Sequence, residues 1–122
     1  YKILMVGEDS ECNQRVKDIL QKESIYEVIM QNIVNVEGVL ERFEENSFEL
    51  VILDIQMDKG NGWQIIQAIK DKYEIPIIVM FDDKNLKNTK EFKESGCDDY
   101  MTKAFSSMML NEIIYNMLKK SL

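Results

Sequence analysis

The segment ELVILDIQMDKGNGW (residues 49–63) places a carboxylate directly after an apolar run of strand length. The run covers residues 50–53, and Asp54 follows it at the start of a polar loop that contains two glycines. Apolar runs without polar alternation are typical of strands that are buried on both faces of a parallel sheet. The segment therefore predicts a central parallel strand with an acid at its carboxyl end.

The same strand-then-helix pattern runs through the rest of the chain. Other strand-like runs are predicted at residues 2–6, 26–30, 75–80 and 99–102, and segments with helical spacing of apolar residues lie between them. Ser10 and Asn35 are the predicted N-caps of the first two helices. The fourth predicted helix, at about residues 84–95, is mostly polar, and the fifth is apolar over a wide face. Right-handed crossovers then favour an α/β fold of five β-α units, a flavodoxin-like parallel sheet in the order 2-1-3-4-5 with helices on both faces.

Composition excludes several classes of protein. A chain of 122 residues predicts one domain, residues 1–122, and its missing initial Met predicts a piece of a longer protein. No apolar run approaches the ~18 residues of a membrane-spanning helix, and the net charge of −7 argues against nucleic-acid binding by this domain. The chain has no histidine and its cysteines, Cys12 and Cys97, form no CxxC pair, so we expect no structural zinc site. Two reduced thiols then fit a cytoplasmic protein.

Three acids are predicted to meet at one edge of the sheet. Asp54 ends the third strand, Glu8 and Asp9 follow the first strand, and the carboxyl ends of parallel strands share one edge. Clustered carboxylates repel unless a cation or protons offset their charge, and oxygen ligands without histidine suit Mg²⁺. A carboxylate can also attack phosphorus, and Lys103 after the fifth strand stands where it could hold a phosphoryl oxygen. Solvated strand-end acids are the alternative for any one of these residues.

Taken together, these features resemble the receiver domain of two-component response regulators over essentially the whole chain. The resemblance is carried by the stretches ILMVGEDS, LVILDIQM, NGW, PIIVM and GCDDYMTKAF. It implies a signalling domain and not an enzyme, with Asp54 as the phospho-acceptor and Lys103 as the phosphoryl contact. It also implies a Mg²⁺ site formed by Glu8, Asp9, Asp54 and the backbone carbonyl of Gln56, and we expect binding there to be weak because Asp82 is a fourth acid that crowds the site.

The chain departs from the family pattern at the positions that relay phosphorylation to the output surface. We use this name for the face formed by the fourth predicted helix, the fifth strand and the fifth predicted helix. The resemblance makes Tyr100 the switch aromatic, but Phe81 replaces the hydroxyl residue after the fourth strand and Asp82 replaces the small residue that follows it. Phe81 has no hydrogen-bond donor. The family's Lys-Pro pair is Lys103-Ala104 here, for which we expect a trans peptide because a cis bond before alanine costs about 3–4 kcal/mol.

Two functions remain open for such a chain. The favoured one is an atypical receiver with weak or no dependence on phosphorylation, which regulates transcription through a DNA-binding output domain in the full-length protein. The alternative is a conventional receiver that takes a phosphoryl group from a histidine kinase on Asp54 with Mg²⁺. If the chain dimerises, we expect the homodimer to form through the fourth predicted helix, the fifth strand and the fifth predicted helix, without any need for phosphate. The domain itself is expected to bind neither nucleic acid nor membrane.

Two other classes of α/β protein fit the sequence less well. Haloacid-dehalogenase phosphatases also use an aspartate at a strand end, but they need a second acid where Gln56 stands. Flavodoxins bind the FMN phosphate in a polar, glycine-rich loop after the first strand, and the corresponding stretch GEDSECNQ is acidic. The receiver interpretation is therefore preferred over both.

Overall fold

A computed structural model describes residues 1–32, 35–54, 61–82 and 94–120, except for the side chains of residues 61 and 120. Its elements, in chain order, are β1 Lys2–Val6, α1 Ser10–Leu20, β2 Glu27–Gln31, α2 Val36–Glu45, β3 Leu50–Asp54, α3 Asn61–Lys72, β4 Ile77–Phe81, β5 Asp99–Thr102 and α4 Ser107–Lys120. The helix α4 is the fifth predicted helix, and the fourth predicted helix lies almost wholly outside the described residues.

The five strands form one parallel sheet in the order β2-β1-β3-β4-β5. This confirms the predicted α/β fold with the flavodoxin-like strand order. Val6 of β1 is in register with Leu53 of β3, and Asp54 is in register with Met80 of β4. The loop that follows β1 therefore leaves the sheet beside Asp54, as expected for a site at the carboxyl ends of the strands.

Apolar side chains cover both faces of the sheet. Alternate residues of β1 point to opposite sides, so Ile3 and Met5 join one core cluster while Leu4 and Val6 join the other. The first cluster is closed by α1 and α4, and the second by α2 and α3. Because β1, β3 and β4 are buried on both sides, the polar end of β3 is held in a fixed place. No helix in the described part of the chain has the length and apolarity that a membrane crossing needs.

The helix caps differ in part from the prediction. Asn35 caps α2 as predicted, because its side chain accepts a hydrogen bond from the Gly38 N–H at 2.6 Å. Ser10 was predicted to cap α1, but the cap is Asp9, whose Oδ1 accepts from the Cys12 N–H at 3.1 Å. A carboxylate at this position also interacts favourably with the positive end of the helix dipole. The cap fixes one carboxylate oxygen of Asp9 beside the end of β1.

Candidate functional site

The carboxyl end of β3 holds Asp54 in a nearly closed environment. Its side chain is only 2% exposed, because the strand is buried up to its last residue. The chain after β1 passes very close to it. A Cβ atom on Gly7 would lie 2.8 Å from the Asp54 Cβ and 2.9 Å from Asn13 Oδ1, which is too close for a side chain. Gly7 therefore lets the first loop approach the acid.

Lys103 joins the two acids of the site. Its Nζ lies 3.0 Å from Asp54 Oδ1 and 3.2 Å from Asp9 Oδ2. The backbone N–H of Lys103 donates to the Phe81 carbonyl at 2.9 Å, which continues the β4–β5 pairing by one residue and fixes the root of the side chain. The structure therefore brings Asp9, Asp54 and Lys103 together from the ends of three strands.

The pKa shifts in this cluster are those expected for a buried carboxylate whose charge is only partly compensated by its neighbours. Burial raises the pKa of Asp54 above its ordinary value, and the ion pair with Lys103 does not fully offset this. The hydrogen bond from the Cys12 N–H lowers the pKa of Asp9, and Lys103 lowers it further. Burial alone would lower the pKa of Lys103, but the contacts with Asp54 and Asp9 raise it overall. The negative charge of ionised Asp54 is therefore unfavourable in this site.

The site contains buried oxygen atoms that have no hydrogen-bond partner. Neither carboxylate oxygen of Asp54 accepts a hydrogen bond, although Oδ1 is ion-paired with Lys103. Asp9, Cys12 and Asp54 offer ligand atoms that lie within 4.8 Å of one another. Two carboxylates of this kind fit Mg²⁺, which binds one or two carboxylates and keeps several waters. Asp9 and Asp54 are the residues that would hold it.

The other predicted metal ligands are not part of this cluster. Glu8 is exposed, and no cluster of cation ligands in the described ranges includes it. Gln56, whose carbonyl was predicted as a ligand, lies outside the described residues. Among the described residues, the ion-paired groups of the site are the carboxylates of Asp9 and Asp54 and the ammonium of Lys103.

The predicted switch positions lie in β5 or at and just beyond the carboxyl ends of β4 and β5. Phe81 is 1% exposed, and its ring centroid lies 6.0 Å from that of half-buried Tyr100 at an interplanar angle of 42°. Asp82 is half-buried and lies near enough to raise the pKa of Asp54 and of Lys103. Ala104 is exposed. No peptide bond in the described ranges is cis, so the expected trans bond before Ala104 is confirmed.

Two residues of the site were missed by sequence reasoning. Cys12 and Asn13 lie in the first turn of α1 and face the site, and Asn13 is fully buried. The Asn13 Nδ2 donates to the Gly7 carbonyl at 2.8 Å, whereas its Oδ1 has no hydrogen-bond partner. The available signal was their spacing, because residues three and four positions after Asp9 lie on the same side of the helix as Asp9.

Comparison with known proteins supports one family. The profile of the response regulator receiver domain matches residues 3–115. The Staphylococcus epidermidis heme response regulator HssR is 32% identical over 102 residues, which is 84% of this chain and 44% of that protein. The Streptococcus pneumoniae transcriptional regulatory protein CiaR is 31% identical over 121 residues, which is 98% of this chain and 52% of that protein. This chain spans about half the length of these curated relatives.

Solved structures agree with the observed topology. A CheY-like response regulator receiver domain protein from Methanospirillum hungatei superposes with a TM-score of 0.81 at 26% identity, covering 98% of this chain and 94% of that one. The sequence and structure comparisons therefore point to the same family.

Proposed function

This chain belongs to the response regulator receiver domain family, which acts in two-component signalling, and on that premise we propose that it is an atypical receiver domain. In this proposal Asp54 keeps the chemistry of a phosphoryl acceptor, while the output surface depends weakly or not at all on phosphorylation. The observation that carries the proposal is Phe81, a fully buried ring that contacts Tyr100 at the end of β4.

The side chains of the site suit phosphoryl acceptance. An Asp54 carboxylate oxygen would attack phosphorus, the bond from phosphorus to the histidine nitrogen of a kinase would break, and an acyl phosphate would form. The Lys103 ammonium, already 3.0 Å from Asp54, would neutralise part of the charge on the phosphoryl oxygens. A bound Mg²⁺ would supply further neutralisation of that charge. Asp9 would help to hold the cation beside Asp54.

The signal from Asp54 to the output surface is the weak step in this proposal. In the family a hydroxyl at the position of Phe81 binds the phosphoryl group and moves, and the aromatic at the position of Tyr100 follows it. Phe81 cannot donate a hydrogen bond. Loss of a hydrogen bond to a charged group forfeits about 1.5–3 kcal/mol, which is as large as a typical allosteric coupling of about 1–3 kcal/mol. The coupling between Asp54 and Tyr100 should therefore be small.

A conventional phospho-receiver is the second candidate function. It is supported by the contacts of Lys103 with both Asp9 and Asp54, the arrangement that phosphoryl transfer needs. Under this alternative a histidine kinase is the phosphoryl donor, Mg²⁺ is required, and the output surface changes conformation on phosphorylation. The two candidates agree on the chemistry at Asp54 and differ in its consequence.

The larger protein context is also part of the proposal. Because CiaR is a transcriptional regulatory protein and this chain spans about half of its length, we propose a DNA-binding output domain in the full-length protein. The net charge of −7 supports assigning DNA contact to that output domain and none to the receiver. A cytoplasmic location belongs to the same proposal.

Beryllofluoride, a phosphoryl mimic, separates the two candidates. We expect NMR resonances of residues next to Asp54 to shift on addition of Mg²⁺ and beryllofluoride, while those of Tyr100 and of α4 stay nearly unchanged. Asp54→Asn is the control, and all shifts should disappear in it. Large shifts of Tyr100 and α4 at saturating mimic would contradict the atypical function and support the conventional one. Mass spectrometry after incubation with acetyl phosphate tests phosphoryl acceptance itself.

A further inference from the structure

The thiol of Cys12 lies among the ligand atoms of the acidic site. Cys12 is 9% exposed, and its Sγ lies within 4.8 Å of a carboxylate oxygen of Asp9 and of Asp54. Thiolate and carboxylate ligands lie about 2.0–2.3 Å from a bound metal ion, so two ligands of one ion are at most about 4.5 Å apart. The three groups therefore lie close to the separation that ligands of one ion require.

Buried oxygens without hydrogen-bond partners lie in the same part of the structure. Asp54 Oδ2 and Asn13 Oδ1 both lack hydrogen-bond partners. Both lie within 3.3 Å of the position that a Cβ atom on Gly7 would take, so the two oxygens lie close together beside Gly7. A buried oxygen without a donor is unfavourable, and a cation bound to Asp54 Oδ2 would offset the charge of Asp54 and satisfy that oxygen.

Lys103 pairs with only one of the two carboxylate oxygens of Asp54. The Lys103 ammonium contacts Asp54 through Oδ1 and Asp9 through Oδ2. Asp54 Oδ2 lies outside that ion pair and keeps its full capacity as a ligand. The lysine and a divalent cation would therefore use different oxygens of Asp54.

We propose that the site binds thiophilic divalent cations, such as Zn²⁺ and Cd²⁺, with Cys12 Sγ as a ligand beside the carboxylates of Asp9 and Asp54. On binding, the S–H bond of Cys12 breaks, its proton passes to solvent, and a sulfur–metal bond forms. Thiolates select soft and borderline cations, whereas an oxygen-only site suits Mg²⁺. The proposal rests on the side chains of the site and not on phosphoryl transfer, so it stands or falls separately from the proposed function.

Cadmium is the probe, because thiolate ligation gives an ultraviolet sulfur-to-cadmium charge-transfer band. Titration of the reduced wild-type protein with Cd²⁺ should give a saturable band at one equivalent. Cys12→Ser should abolish the band and weaken Cd²⁺ binding by at least about tenfold, the lower end of the effect of groups around metal sites. Mg²⁺ affinity should change far less in the same variant. Cys97→Ser is the matched control, because Cys97 packs in the opposite core cluster, and it should keep both the band and the affinity.

The opposite outcomes would overturn the proposal. They are a band that survives in Cys12→Ser, a band that is lost in Cys97→Ser, or no band in the wild-type protein while Mg²⁺ still binds. Cadmium NMR of the wild-type protein provides a test that needs no variant, because sulfur and oxygen ligands give well-separated cadmium shifts. A shift typical of oxygen ligands alone would reject Cys12 as a ligand.

Discussion

Asp54 combines deep burial with too few partners, and this makes its negative charge unfavourable. Its pKa is raised by burial above the ordinary 3.8. A group whose pKa is higher in the folded state than in the unfolded state contributes stability below its unfolded pKa and loses it as the pH rises through the folded value. Without a divalent cation, the wild-type protein therefore carries a cost at neutral pH that a neutral side chain would remove.

We predict that Asp54→Asn is more stable than the wild type in chelator-treated buffer at neutral pH. The difference in free energy of unfolding should shrink as the pH falls toward 3.8, because Asp54 then becomes neutral in both states. Urea denaturation between about pH 4 and pH 7 measures it. Asp71→Asn, an exposed acid on α3, should stay within about 0.5 kcal/mol of the wild type. A less stable Asp54→Asn at neutral pH would contradict the expected cost.

Among the residues that the structure places in the site, those at strand ends were predictable from topology, whereas those on the face of α1 left only a signal of spacing. Asp9, Asp54 and Lys103 follow apolar runs, and parallel topology alone brings such positions to one edge of the sheet. Cys12 and Asn13 reach the site because α1 packs with one particular rotation over the sheet, and that rotation depends on tertiary packing. Local preference also cannot distinguish Ser10 from Asp9 as the cap of α1, because Ser and Asp are nearly equivalent as N-caps.

At the scale of elements, α1 holds the segment that carries Lys103. The Arg15 guanidinium donates a hydrogen bond to the Phe105 carbonyl and lies 4.3 Å from the centroid of the Phe105 ring. Phe105 is buried at 3% exposure between β5 and α4, two residues after Lys103. A helix that already supplies Asp9 therefore also anchors the lysine opposite it.

We predict that Arg15→Ala lowers the free energy of unfolding by about 1 kcal/mol. This is less than the loss of a buried hydrogen bond to a charged group would cost, because Arg15 is exposed. It should also broaden the NMR resonances of Lys103 and Phe105. Lys22→Ala removes an exposed positive charge beyond the end of α1 and should change stability by less than about 0.5 kcal/mol. Equal effects of the two substitutions would show that the Arg15 contacts do not anchor the segment.

Element boundaries show where local patterns stop being informative. The fourth strand was predicted at residues 75–80 but is Ile77–Phe81. Pro76 has no N–H and contributes only its carbonyl, which accepts from the Val51 N–H at 3.0 Å. The apolar run therefore begins before the hydrogen-bonded strand β4 does. The second strand, predicted at residues 26–30, is Glu27–Gln31, because buried Tyr26 packs in the core ahead of the strand.

At the scale of the whole molecule, the largest exposed apolar side chains are concentrated on α4. Met108, Met109 and Tyr115 are 78%, 51% and 58% exposed. Met109 also lines a groove of about 430 Å³ between β5 and α4, together with Phe81, Tyr100 and Ile113. Exposed apolar patches of this kind mark interaction surfaces. The homodimer stays a prediction; of its predicted face, β5 and α4 are described, and the fourth predicted helix lies almost wholly outside the described residues.

We predict that the chain dimerises through this surface with or without a phosphoryl mimic. Sedimentation equilibrium should give a concentration-dependent mass above the 14.3 kDa of the monomer. Met109→Glu should return the mass to the monomer value, because a carboxylate buried in an apolar interface is unfavourable. Ile25→Glu is the matched control, since Ile25 is similarly exposed, at 55%, but lies at the opposite edge of the sheet, before β2.

The association constant should not change on addition of beryllofluoride, because Phe81 lacks the donor that would connect Asp54 to this surface. This surface would not be the dimer interface if the chain stayed monomeric at all concentrations, or if Ile25→Glu disrupted the dimer as strongly as Met109→Glu. A dimer that forms only with the mimic would show that Asp54 controls dimerisation.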